Sequence, residues 1–310
     1  MLKFKAIELN DALWIDPLLR SSGLLGNDYT FPNLYNWRCT YNTRLARLEN
    51  RLVVRCGVRE PYYLFPAGSG ELKPVVEAML ADAGERGCKF LMRGVEEAPK
   101  AELESLFPGR FSFSADRDSF DYIYTREKLA GLSGKKLHQK RNFINRFLAE
   151  CSDWSYEPIS ARNIGECLEM NDEWCRLNHC PADDVEPEER PEEREPDNDL
   201  GQERCAVHNA LEHFFELNMF GGLLRANGRV VAFTAGELYR GDCVMVNIEK
   251  AFLEPEGCYA MINNQFARSL PESVLYLNRE DDAGDEGLRR AKLSYNPDIM
   301  VEKYDVSLAE

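Results

Sequence analysis

The strongest constraint on the fold is an order of elements that occurs twice along the chain. Apolar periodicity and turn residues predict in each half a strand, a helix, a hairpin, a strand, a helix, a strand, a helix and a last strand. The dipeptides Glu49-Asn50 and Asn227-Gly228 lie between apolar runs and predict the hairpin turns. Because 310 residues exceed one usual compact domain, we predict an α/β protein with mixed sheets and a tandem duplication, divided into residues 1–130 and 131–310.

Charge is distributed unevenly along the chain. The net charge of −15 argues against general affinity for nucleic-acid backbones, because like charges repel. Residues 128–149 nevertheless contain no acidic side chain and carry a cluster of basic ones. Residues 181–204, in contrast, are acidic, contain proline and have few large apolar side chains. We predict that residues 181–204 form a solvated loop.

Composition bears on location and on metal binding. No stretch approaches the roughly 20 apolar residues of a membrane-spanning helix, and the first residues do not read as a secretory signal. We therefore expect no membrane span, a cytoplasmic protein and reduced thiols at the ten cysteines. The densest cysteine cluster, around Cys175 and Cys180, lacks the paired spacing of a structural zinc site. We expect no bound metal.

One strand–turn–helix segment has the pattern of an anion site. In VMVNIEKAFLEPEGCYAMINNQFARSL a strand ends, a loop carries Gly257 and a helix begins at once. Free amides at the start of such a helix bind phosphate, and glycine lets a ligand approach the backbone closely. We predict contacts to a cofactor phosphate from Gly257, Cys258 and Tyr259. The alternative is a glycine turn with a purely structural role.

The order of elements around this segment resembles the second half of a GNAT acyltransferase. The resemblance implies that the strands flanking the helix splay apart and that Glu249 and Asn278 line the gap, Asn278 as a cofactor contact. It also implies that Glu249 accepts a proton from an attacking amine or hydroxyl, and that Tyr295 donates one to the leaving group. The alternatives are a solvent-facing or ion-paired carboxylate near Lys250 for Glu249, and for Tyr295 a core tyrosine with its hydroxyl at the surface.

Basic side chains near this segment are candidates for binding the anionic part of a substrate. Those predicted to contact phosphates of a cofactor, a lipid head group or a tRNA end are Lys135, Lys136, Lys140, Arg141 and Lys292. Ordinary solvated helix faces are the alternative. The acidic run at 280–282 has the composition of a magnesium or amine site, but a loop rich in surface acids explains it better.

Three stretches of the chain together resemble the DUF2156 family, which is related to the catalytic domain of phosphatidylglycerol lysyltransferase. They are FDYIYTREKLAGLSGKKLHQKRNFINRF, RVVAFTAGEL with VMVNIEKAF, and YLNREDDAGDEGLRRAKLSYNP. The resemblance implies two tandem GNAT-like halves that transfer an acyl group, from aminoacyl-tRNA or acyl-CoA, to an amine or hydroxyl. VMVNIEKA and YLNREDD stand where the lipid-modifying relatives carry other blocks, which argues against phosphatidylglycerol as the acceptor.

Two alternative functions stay open at this point. The first is an acetyl-CoA-dependent N-acetyltransferase that acts on a small amine. The second is a GNAT-like binding module without catalysis, in which the acidic loop and the basic helix would be docking surfaces for a partner.

Overall fold

The computed structural model describes residues 2–180 and 199–309, which form two mixed β-sheets with helices packed around them. The strands of the first sheet are β1 (Lys5–Ala6), β2 (Arg44–Leu48), β3 (Arg51–Cys56), β4 (Tyr62–Leu64), β5 (Ala67–Gly68), β6 (Leu91–Glu96) and β7 (Phe111–Ala115). Those of the second are β8 (Asp121–Thr125), β9 (Trp154–Pro158), β10 (Phe220–Ala226), β11 (Arg229–Arg240), β12 (Cys243–Ala251), β13 (Tyr276–Asn278) and β14 (Ile299–Val301). The last strand, β15 (Lys303–Leu308), returns to the first sheet.

Ten α-helices connect these strands in the described part of the chain. Those before the second sheet's hairpin are α1 (Ala12–Ser22), α2 (Phe31–Asn36), α3 (Leu72–Glu85), α4 (Glu97–Leu106), α5 (Arg126–Gly131), α6 (His138–Glu150), α7 (Ile164–Leu177) and α8 (Asp199–Glu212). They are followed by α9 (Cys258–Ser269) and α10 (Glu286–Leu293). Residues 181–198 of the predicted acidic loop lie outside the described residues. Residues 199–204, which were predicted to belong to this loop, lie in α8 instead.

The two predicted hairpins are confirmed. Glu49 and Asn50 connect β2 to β3 with φ values of 49° and 57°. Asn227 and Gly228 connect β10 to β11 with φ values of 51° and 77°. Two consecutive residues with positive φ form the turn whose twist matches that of paired strands, and asparagine and glycine adopt this conformation at low cost.

The two sheets exchange strands across the predicted division at residue 130. The strand order of the first sheet is β1-β2-β3-β4-β6-β15-β7, and that of the second is β14-β8-β13-β12-β11-β10-β9. β8 lies within residues 1–130, but it pairs with β13 and β14 of the second sheet. β15 in turn pairs with β6 and β7 of the first sheet. The division at residue 130 stays a prediction, and the sheets show that neither half holds all its own strands.

A buried polar network joins the two sheets where these strands cross. The ammonium of Lys303 lies 2.8 Å from a carboxylate oxygen of Asp121 and 2.8 Å from one of Asp28. The second oxygen of Asp121 accepts hydrogen bonds from the Asn27 amide at 2.7 Å and from the Asn278 side chain at 2.8 Å. The side chains of Lys303 and Asp121 are both fully buried. Charges at such depth persist only when paired.

The apolar core continues from one half into the other. One cluster of buried side chains includes Ile15 and Val53 from the first half together with Phe147, Phe233 and Ile262 from the second. A smaller cluster under the second sheet contains Tyr122, Tyr124, Phe266 and Tyr295. No helix in the described ranges is long and apolar enough to cross a membrane.

Candidate active site

The second sheet opens between β12 and β13. These strands pair in parallel over three residues, from Cys243 opposite Tyr276 to Met245 opposite Asn278. β13 then ends, while β12 continues to Ala251 and stays paired with β11. We call the space beside residues 246–251 of β12 the strand opening. Backbone that has lost its partner on one edge is available to a ligand, which is the arrangement expected from the GNAT resemblance.

β12 contains a β-bulge at the start of the strand opening. Val246 lies opposite Gly236 of β11 and Ile248 lies opposite Ala235, so Asn247 has no partner on β11. Bulges bend a strand and redirect the side chain of the extra residue, and they recur beside active sites. The Asn247 side chain donates to a carboxylate oxygen of Glu280, directly beyond β13, at 3.1 Å. This contact bridges the strand opening.

Glu249 forms a second bridge across the strand opening. One of its carboxylate oxygens lies 2.7 Å from Nη2 of Arg279, and the other accepts from Nδ2 of Asn263 on α9 at 3.0 Å. Only 13% of the Glu249 side chain and 11% of the Arg279 side chain are exposed. The predicted proton acceptor is therefore ion-paired with Arg279, whereas the alternative considered from the sequence was a solvent-facing or ion-paired carboxylate near Lys250. Its catalytic role stays a prediction.

Three buried polar atoms around Glu249 have no hydrogen-bond partner among the described residues. They are Nη1 of Arg279, Oδ1 of Asn263 and Oδ1 of Asn247. The amide orientations follow from the neighbours, since both Nδ2 groups donate to carboxylates and the oxygens are left as acceptors. Buried polar groups in folded proteins are nearly always paired, so an exception needs an explanation. The unpaired cationic donor and the two unpaired acceptors are therefore candidates for contacts to a group with both polarities.

Tyr295 and Lys140 cover this cluster. The Lys140 ammonium lies 4.1 Å from the centre of the Tyr295 ring, and the Arg279 guanidinium carbon lies 4.9 Å from it. Burial raises the pKa of Tyr295 well above its usual value, so the phenol stays protonated at neutral pH. Burial, with the charge of Arg279, lowers the pKa of Lys140 to about 8, while the Glu249 carboxylate acts in the opposite direction. The cluster thus holds one firmly protonated acid and one amine that titrates near neutrality.

Two predicted contact residues lie beneath the strand opening. Asn278 is fully buried and donates to the Leu25 carbonyl at 3.0 Å, in addition to its contact with Asp121. Lys292 is also buried and donates to the backbone carbonyls of Arg279 and Asp281. Both side chains hold the loop that follows β13. The structure gives them this supporting position, and their predicted contacts to cofactor and substrate stay predictions.

The Gly257 turn packs tightly against α6. Gly257 has a φ of 97°, and a Cβ there would overlap the carbonyl oxygen of Phe143 and lie 2.9 Å from its carbon. Cys258 is buried, its thiol donates to the Pro255 carbonyl at 3.0 Å, and burial raises its pKa to about 12. Tyr259 is 36% exposed. The glycine has a clear packing role here, and phosphate binding at this turn stays a prediction.

The other four predicted basic residues lie along and before α6. Lys135 and Lys136 are exposed in the short 3-10 turn that precedes the helix. Arg141 donates to the backbone carbonyls of Leu132 and Gly134. Only Lys140 of this group joins the cluster around Glu249 and Tyr295.

Sequence reasoning missed Arg279 and Asn263 as site residues. Arg279 directly follows the predicted Asn278, and Asn263 lies in a helix where it reads as one more polar position. Strong polarity at the end of β13 was the available signal for Arg279. No sequence signal distinguished Asn263 from its neighbour Asn264. Among the described residues, no group of three or more His, Cys, Asp or Glu side chains is placed to hold a metal ion.

Comparisons with known proteins place the chain among aminoacyltransferase-like folds. A family described as phosphatidylglycerol lysyltransferase, C-terminal, matches residues 20–307. An uncharacterized protein of Mycoplasmoides gallisepticum is 22% identical over 201 residues, which cover 61% of this chain and 56% of the relative. This chain therefore spans a little over half the length of that relative.

Solved structures agree with the family match. A conserved protein of unknown function from Bacteroides thetaiotaomicron is 40% identical, with a TM-score of 0.89 over 100% of both chains. The C-terminal DUF2156 domain of a lysylphosphatidylglycerol synthetase candidate from Agrobacterium fabrum has a TM-score of 0.66 at 12% identity, over 97% and 92% of the two chains. FemX, at 9% identity, has a TM-score of 0.58 over 98% and 96%. The fold is thus the predicted one of two tandem GNAT-like halves, and the chain belongs to the phosphatidylglycerol lysyltransferase C-terminal family.

Proposed function

We propose that this chain is an aminoacyltransferase that moves an aminoacyl group from aminoacyl-tRNA to an amine or hydroxyl acceptor in the strand opening. The proposal is carried by the three unpaired polar atoms around Glu249. Membership of the family supports it, as does the likeness to FemX at the level of the fold.

The unpaired atoms favour an aminoacyl group over a simple acyl group. In this proposal Nη1 of Arg279 donates to the carbonyl oxygen of the ester, and the oxygens of Asn247 and Asn263 accept from its α-ammonium group. An acetyl group has no ammonium and would leave both acceptors unpaired. A buried unpaired polar atom costs about 1–3 kcal/mol, so each acceptor contributes to discrimination between the two donors.

The transfer step needs a cation that stabilises the developing negative charge, a base and an acid. The acceptor nitrogen or oxygen attacks the ester carbon and forms the new bond, and Arg279 stabilises the negative charge that develops on the carbonyl oxygen. The proton of the acceptor passes to Glu249 or to neutral Lys140. The bond to the tRNA oxygen then breaks, and that oxygen takes a proton from Tyr295, which recovers one from the protonated base.

The test is a transfer assay that does not require the natural acceptor. Purified protein is mixed with a pool of labelled aminoacyl-tRNAs and hydroxylamine as a small amine, and hydroxamate formation is measured; acetyl-CoA is the parallel donor. We expect transfer from aminoacyl-tRNA only, and a loss of about 100-fold or more in Arg279→Met. The matched control is Arg290→Met, because Arg290 is exposed on α10 and its one ion pair among the described residues is with Glu286 of the same helix.

Either of two results would contradict the proposal. One is transfer from acetyl-CoA at a rate equal to or above that from aminoacyl-tRNA. The other is an equal rate in Arg279→Met and Arg290→Met, provided that both variants keep the circular dichroism of the wild type.

A further inference from the structure

A cavity with a volume of about 320 Å³ lies outside the group of residues around Glu249. Its walls are the end of α5, one face of α6 and one face of α9. The side chains that line it include the guanidinium groups of Arg141 and Arg268, the imidazole of His138 and the amide groups of Asn142 and Asn264. No carboxylate is among its described lining residues. A cavity of this size is large enough for a nucleotide-sized group.

The two arginines are not neutralised by the protein. Neither Arg141 nor Arg268 forms an ion pair with a carboxylate in the described ranges, and Arg268 is exposed on α9. The whole chain has 53 acidic residues against 38 lysines and arginines, so carboxylates are abundant elsewhere. A cavity that brings two guanidinium groups together without one is electrostatically suited to an anion.

Backbone carbonyls that would repel an anion are occupied. Arg141 uses Nη1 to bond the carbonyls of Leu132 and Gly134, which fixes its guanidinium and leaves its other N–H groups for a ligand. Asn264 donates to two carbonyls at the end of α5, at 2.8 and 2.9 Å. These contacts hold Arg141 and Asn264 in place and occupy the four carbonyls that they bond.

Two pairs of neighbouring residues connect the walls of the cavity to the site already described. Arg141 follows Lys140 on α6, and Asn264 follows Asn263 on α9. Consecutive helical residues point about 100° apart, so α6 and α9 each present one side chain to the strand opening and the next to the cavity. A donor whose acyl carbon lies in the strand opening can extend into the cavity between these helices.

We infer that this cavity binds a phosphate ester of the acyl donor through Arg141 and Arg268. Planar guanidinium groups match phosphate oxygens in bidentate geometry. The inference rests on the proposed function for the identity of the donor, since both RNA and coenzyme A carry phosphate esters. Phosphate binding itself can be measured without any transfer.

The experiment uses the full chain and two probes. A labelled short RNA with the sequence of a tRNA acceptor end is followed by fluorescence anisotropy, and coenzyme A is followed by calorimetry, each with inorganic pyrophosphate as competitor. We expect the RNA to bind, pyrophosphate to displace it and Arg268→Gln to weaken binding about tenfold. Arg162→Gln is the matched control, because Arg162 is also exposed and lies in the turn before α7; it should bind as the wild type does.

Every outcome decides the inference. If coenzyme A binds instead of RNA, and Arg268→Gln weakens that binding, the cavity is a phosphate site. The phosphate ester that it binds is then that of coenzyme A. Absence of binding to both probes at millimolar concentration overturns it, and so do equal affinities of Arg268→Gln and Arg162→Gln. The proposed function fails separately, if phosphate binding is intact while the wild type transfers no aminoacyl group.

Discussion

At the scale of single residues, Lys140 lies among groups that act on its pKa in opposite directions. Burial and the positive charge of Arg279 favour the neutral amine, and the Glu249 carboxylate favours the ammonium. The result is a pKa of about 8, well below the ordinary value for lysine. Lys140 is thus partly neutral near physiological pH, which suits both a proton acceptor and a reactive amine.

This balance gives a signed prediction for pH dependence. Trace acetylation of Lys140 as a function of pH, quantified by mass spectrometry, should have its midpoint near pH 8. Arg279→Met removes the cation and should move the midpoint upward, whereas Glu249→Gln removes the carboxylate and should move it downward. Shifts in the same direction for both variants would contradict this reading of the cluster.

Lys140 should also affect stability with a defined sign. Because its pKa is lower in the folded chain, the unfolded chain binds more protons between about pH 8 and the ordinary lysine value. Burial of the charged amine therefore lowers the free energy of unfolding below pH 8. This loss becomes smaller as the pH rises above 8. We expect Lys140→Met to be more stable than the wild type at pH 7 in urea unfolding, with a smaller advantage at pH 10. An advantage that grows with pH would show that Lys140 is not buried in its charged form.

The site also shows how far sequence reasoning reaches at this scale. The GNAT resemblance implied Glu249 and Asn278 as residues that line the gap. Choosing between Asn278 and Arg279 required knowing the residue at which β13 ends. Asn278 is the last residue of the ladder and is buried, while Arg279 is the first beyond it and reaches Glu249. Two consecutive residues, Asn278 and Arg279, thus have different positions: the first supports the site and the second is part of it.

At the scale of elements, the contact between α6 and α9 depends on Gly257. Gly257→Ala would place a methyl group against the Phe143 carbonyl at a φ of 97°. The left-handed conformation and the overlap together should lower the free energy of unfolding by about 2–4 kcal/mol, measured by urea denaturation. The matched control is Gly165→Ala in α7, where no heavy atom lies within 4 Å of the added methyl. Equal stability of the two variants would show that α6 does not pack on this turn.

Local elements were predictable, whereas strand partners were not. The hairpin turns follow from turn residues alone, as do helices such as α3 with its apolar face. The pairing of β8 with β13 joins residues about 150 positions apart, and nothing in either segment encodes that partner. Strand exchange between halves is decided by the whole core, so the sequence pattern predicted two separate units where the structure has interlocked ones.

At the scale of the whole molecule, the exchanged strands make the two halves dependent on each other. β15 lies between β6 and β7 in the first sheet, and β8 lies between β13 and β14 in the second. Unfolding of either half would therefore remove an interior strand from the sheet formed mainly by the other half, and would expose the network around Lys303. We expect one cooperative unfolding transition, with coincident curves from circular dichroism and tryptophan fluorescence. Two separated transitions would show that the halves unfold independently.

Lys303 allows a direct test of this coupling. Lys303→Met should lower the free energy of unfolding by about 3–5 kcal/mol, because it leaves the Asp121 carboxylate buried without its cation. Lys303→Met with Asp121→Asn should recover part of the loss, since the neutral amide removes the unpaired charge and can still accept from Asn27 and Asn278. Lys89→Met, at an exposed lysine before β6, is the control and should change stability little. A double variant less stable than Lys303→Met would mean that the Asp121 charge stabilises the crossing without Lys303, and that the ion pair is not what joins the halves.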